Sequence, residues 1–83
     1  MNKEHRILAY LEKIPPAVAG AGGHSQTFYV AKVLLFGFGL SNEAALPFLR
    51  AYSYRCSPPW SERELYHKLA SARKFGPGKI KPI

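Results

Sequence analysis

Proline and glycine cut this chain into four short segments, and that punctuation limits it to short elements packed together. The breaks fall at Pro15-Pro16, at Gly20-Ala21-Gly22-Gly23, at Gly37 and Gly39, at Pro58-Pro59, and at Gly76-Pro77-Gly78. Proline removes a backbone donor and turns the preceding residue away from the α region, while glycine populates the left-handed conformations that end helices. Between the breaks apolar residues recur at helical spacing, and no run alternates with a period of two. The expected fold class is therefore all-α: a compact bundle of about four short helices.

The first helix is expected over about Lys3 to Lys13, with Ile7, Leu8, Leu11 and Ile14 on one face. The second starts near His24 or Ser25 and ends near Phe36. Phe28, Ala31, Leu34 and Leu35 give it a stripe that Val30, Val33 and Phe38 widen, so it should be the most buried helix. Ser41 is a suitable N-cap for the third, with Glu43 in the first turn and Ala45, Phe48, Leu49 and Tyr52 as the apolar face. Pro47 lies past the positions where proline is free, which predicts a kink or a late start. The fourth carries the clearest local signal: Ser61 and Glu64 have capping-box spacing, Trp60 precedes them as a hydrophobic staple for Leu65, and Leu65, Leu69 and Ala72 are buried. Residues 1–75 then form the helical domain, and 76–83 a basic Gly/Pro tail or linker.

Eighty-three residues bound the chain to one small domain without room for a deep catalytic cleft. Twelve Lys and Arg against five acids leave a net charge of +7, which points to a polyanionic partner, nucleic acid first, an acidic protein second and an anionic membrane third; the alternative is a basic surface without a cognate partner. Arg63, Lys68, Arg73 and Lys74 fall off the apolar stripe of the fourth helix over a broad solvent arc. Arg50 and Arg55 emerge near the end of the third, Lys32 projects from the second, and Lys79 and Lys81 extend the charge into the tail. Tyr10, Tyr29, Tyr54 and Tyr66 are interspersed, and any exposed one can stack on a base; Tyr52 reads as a core residue with a wet hydroxyl.

Catalytic and metal chemistry find little here. The glycine loop lacks the Gly-Lys-Ser/Thr of a Walker loop and the preceding strand of a dinucleotide fold. What survives is a candidate phosphate-binding loop of Gly22, Gly23, His24, Ser25 and Gln26 at a helix N-terminus, against the plainer reading of a turn that lets two helices pack. The lone Cys56 forms no internal disulfide, and no Cys/His set has zinc-ligand spacing, so neither metal nor cofactor is expected. The five carboxylates are all Glu and are dispersed, which speaks against metal-dependent phosphoryl transfer. The charged start MNKEHR and the absence of a long apolar run suggest a cytoplasmic, membrane-free protein.

Three stretches together resemble the helical C-terminal domain of primases (PriCT-like), found in primase-polymerases and in phage or plasmid primase-helicases. They are Gly20-Ala21-Gly22-Gly23-His24-Ser25 leading into a buried helix, Gly39-Leu40-Ser41-Asn42-Glu43-Ala44 opening the next, and Cys56-Ser57-Pro58-Pro59-Trp60-Ser61-Glu62-Arg63-Glu64-Leu65 followed by Lys68-Leu69-Ala70-Ser71-Ala72. The resemblance covers roughly Arg6 to Lys74. Family members often carry Arg-Asn where this chain has His24-Ser25. It implies a non-catalytic accessory domain beside a primase-polymerase or helicase domain, holding single-stranded or primer-template DNA or the initiating nucleotide. A protein–protein docking module without nucleic-acid contact is the alternative.

Overall fold

In the computed structural model, which describes residues 2–18 and 23–83, each segment becomes a helix. These are α1 (Lys3–Glu12), α2 (Gly23–Lys32), α3 (Asn42–Ser53) and α4 (Glu62–Phe75). No strand occurs among the described residues; one isolated parallel bridge joins Val18 to Ser57. The fold is a small all-α bundle. Its radius of gyration, 11.6 Å, equals the roughly 12 Å expected of a well-packed chain this long.

Three of the four helix starts are fixed by local caps. Asn2 caps α1 by accepting from the His5 N–H (2.8 Å), Ser41 caps α3 by accepting from Ala44 (3.1 Å), and Ser61 and Glu64 close the capping box on α4 at 3.1 and 3.2 Å. Each bond satisfies a donor that a helix N-terminus leaves unpaired. The Ser41 cap also decides the expectation at Pro47: α3 begins at Asn42 with no late start and runs through Pro47 to Ser53. Pro47 is exposed and forfeits only the bond that Glu43 would have accepted.

α4 packs on α2 and α3, and α1 lies against α3. Ile7, Leu11, Val30, Val33, Leu34, Leu35, Leu49, Tyr52, Leu65 and Leu69 form the centre of the core. The second segment is buried on nearly every side, and its end departs from α geometry. Residues Val33–Gly37 form a π turn, in which the Phe38 N–H reaches back five residues to the Val33 carbonyl (3.0 Å). The wider turn sets Val33, Leu34 and Leu35 all into the interior. Gly39, at φ +70°, then takes the left-handed position that turns the chain away.

The stretch 76–83, read from sequence as a tail or linker, folds back on the bundle. The Ile83 N–H donates to the Gly37 carbonyl (2.7 Å), and Ile80 packs against the core. Gly37 makes room for this: a Cβ there would stand 2.9 Å from the Ile83 Cδ1.

Side chains lock the far end of α1. The Tyr52 hydroxyl donates to the Pro15 carbonyl (2.7 Å), and the Arg55 guanidinium donates to the carbonyls of Leu11 (2.7 Å) and Ile14 (3.2 Å). The Leu11 carbonyl also accepts the Ile14 N–H (3.0 Å), so the guanidinium adds a second donor there and supplies one at Ile14. Burial pushes the Tyr52 hydroxyl above its ordinary pKa.

Candidate nucleic-acid interface

The basic residues divide into those the fold uses and those it leaves to solvent. Arg50 pairs with Glu62 across α3 and α4, its Nε donating to both carboxylate oxygens at 3.1 and 3.0 Å. The guanidinium holds the Glu62 carboxyl below the usual carboxylate range. Arg55 is committed to the end of α1. Arg73 donates to the Asn42 side chain (3.1 Å) and to the Leu40 carbonyl (2.9 Å), tying α4 to the start of α3, and lies over the Phe36 ring. The Lys32 ammonium sits over the rings of Phe28 and Phe75 at 5.7 and 5.0 Å.

Lys68 corrects the sequence reading most sharply. Placed in a solvent arc by its position off the apolar stripe, it is only 4% exposed. Its ammonium rests 4.1 Å from the centroid of the Trp60 ring. Desolvation lowers its pKa, and the neighbouring Glu64 partly offsets that.

The candidate phosphate loop stands differently. Gly22 and the His24 side chain lie outside the described residues. Gly23 opens α2 and Ser25 is exposed, but the Gln26 amide donates to the Pro15 carbonyl (3.2 Å) and so serves the α1–α2 connection. Thr27, the next hydroxyl along, is buried and accepts from the Trp60 indole N–H (2.8 Å).

Of the seven predicted contact residues, Arg63 and Lys74 remain exposed with no hydrogen bond or ion pair to another described residue. Both are on α4. Arg63, Tyr66, His67, Ala70 and Lys74 follow at helical spacing along its outer surface, and all five are exposed. Beside this row runs a groove of about 540 Å³, lined by Trp60, Arg63, Glu64, Tyr66, His67, Lys68 and Ala70. Its one carboxylate, Glu64, is turned to the Ser61 N–H, and that bond lowers its pKa.

Trp60 and His67 are the members that sequence reasoning missed. Trp60 reads locally as a staple for Leu65, whereas its tertiary contacts, the indole bond to Thr27 among them, place its ring at the head of the groove. The spacing of Arg63 and His67, one turn apart, was the available signal for the imidazole.

Cys56 is buried and unpaired, its thiol 3.6 Å from the Tyr52 carbonyl, and no cluster of three metal-ligating side chains occurs among the described residues. No described helix is long and apolar enough to cross a membrane. Compared with protein-family models, curated proteins and solved structures, the chain matches none.

Proposed function

We propose that this chain is a non-catalytic DNA-binding accessory module of the replication type, the role that its likeness to the PriCT-like domain of primases implies. In that role it works beside a primase-polymerase or helicase domain. The observation that carries the reading is the outer face of α4. Arg63 and Lys74 stand there uncommitted, with Tyr66 and His67 between them, on a chain of net charge +7. Cations of this kind hold phosphates without reading sequence, while exposed rings offer stacking surfaces that every base can use. Lys79 and Lys81 are exposed as well and add to the positive field.

A titration with single-stranded DNA at two salt concentrations tests the reading. Binding is expected at low salt and should fall steeply as salt rises, because each phosphate contact releases a counterion. Salt-independent binding, or none at low salt, overturns it.

A second reading, docking onto a partner protein, draws on the exposed rings of Tyr54 (73%), Phe75 (70%) and Tyr66 (57%). Under that reading Arg63→Ala with Lys74→Ala leaves partner binding intact, whereas Tyr54→Ala weakens it.

A further inference from the structure

We propose that the groove beside α4 seats one unstacked nucleotide of single-stranded DNA, its base against Trp60 and Tyr66 and its phosphate between Arg63 and His67. The inference rests on the nucleic-acid reading above and specifies which part of the surface takes the bases.

The groove has a rigid aromatic wall. The Trp60 main-chain N–H donates to the Ser53 hydroxyl (2.8 Å), its indole N–H donates to Thr27 (2.8 Å), and the Lys68 ammonium lies 4.1 Å from the ring centroid. The ring is thus ordered before any ligand arrives, and a base that meets the part of it left open need not meet that ordering cost again. Tyr66 stands on the outer row of α4 with more than half its surface open.

The polar groups suit a phosphate. Arg63 and His67 are exposed and make no hydrogen bond to another described residue. A guanidinium is a fork donor for phosphate oxygens, and an imidazole carries at least one N–H whether neutral or charged. The acid in the lining, Glu64, is already engaged by Ser61, and Lys68 adds positive charge to the wall.

Size and pattern narrow the occupant. About 540 Å³ in an open groove is room for one small ligand, held from one side. A partner helix would ask for a longer trough of aliphatic side chains, and here rings alternate with cations.

The test uses the full chain and two probes of equal length, about ten nucleotides, within the usual span of a single-strand binding site. One is oligothymidylate; the other is an abasic oligodeoxyribonucleotide with the same phosphates and no bases. Trp60 is the one tryptophan, so its emission reports on the groove, while anisotropy of a labelled probe reports on binding anywhere. Oligothymidylate is expected to bind and quench Trp60, and the abasic probe to bind without quenching. Tyr66→Ala should weaken oligothymidylate by roughly 5- to 150-fold and leave the abasic probe unchanged.

Equal quenching by both probes, oligothymidylate binding with unchanged Trp60 emission, or unchanged oligothymidylate affinity in Tyr66→Ala overturns the nucleotide seat while leaving polyanion binding in place. Binding of neither probe overturns both. Equal quenching by a polyglutamate peptide also overturns the seat, in favour of an acidic protein ligand.

Discussion

A guanidinium carries five donors and no acceptor, so inside a small bundle it settles on the main-chain oxygens that helix ends and loops leave unpaired. Arg55 does this at the Ile14 carbonyl and Arg73 at the Leu40 carbonyl, and their charge therefore serves the fold as much as affinity. Arg73→Ala should cost about 1 kcal/mol in urea unfolding, since it strips partners from Asn42 and Leu40. Arg63→Ala combined with Lys74→Ala should change stability by less than about 0.5 kcal/mol. On the DNA-binding reading, the same pair lowers the magnitude of the log–log salt slope by about two, measured by anisotropy at a series of salt concentrations. The identity of the seven cations was legible in the sequence, but their employment was not. Which of them meets a carbonyl depends on loops brought together across thirty or more residues, as with Arg73 and Leu40.

At the scale of the element, helix starts were legible because caps are local chemistry. Ser41, Ser61 and Glu64 announce themselves within four positions, and the apolar stripes show in the residue spacing. The π turn after Lys32 was not, because it answers to burial on several sides at once and not to a residue type. The α4 start also sets an acid response. Glu62 and Glu64 both have pKa values lowered below 4.5 in the fold, by Arg50 and by Ser61 respectively. Their contribution to stability is present above about pH 4.5 and is lost as the pH falls through the lowered folded values. The melting temperature should drop over that acid window, and Arg50→Gln should flatten the part due to Glu62, read by circular dichroism at a series of pH values. Ser61→Ala should remove the cap on α4 at a cost of about 1 kcal/mol in urea unfolding at neutral pH.

For the molecule as a whole, the return of 76–83 onto the π turn adds a contact that the Gly-Pro-Gly break conceals in the sequence. Gly37→Ala should displace Ile83 more than it unfolds the bundle, because the near atom is the end of a flexible side chain. Faster amide exchange at Ile83, with exchange at Leu34 and Leu69 unchanged, is the expected signature. The clasp at the end of α1 works on a different principle. Tyr52, Gln26 and Arg55 grip the oxygens of Leu11, Ile14 and Pro15, which belong to the main chain. A fastening that recognises the peptide unit is indifferent to which residue supplies it. The exposed positions Glu12 and Lys13 are therefore free to drift in evolution without loosening the join.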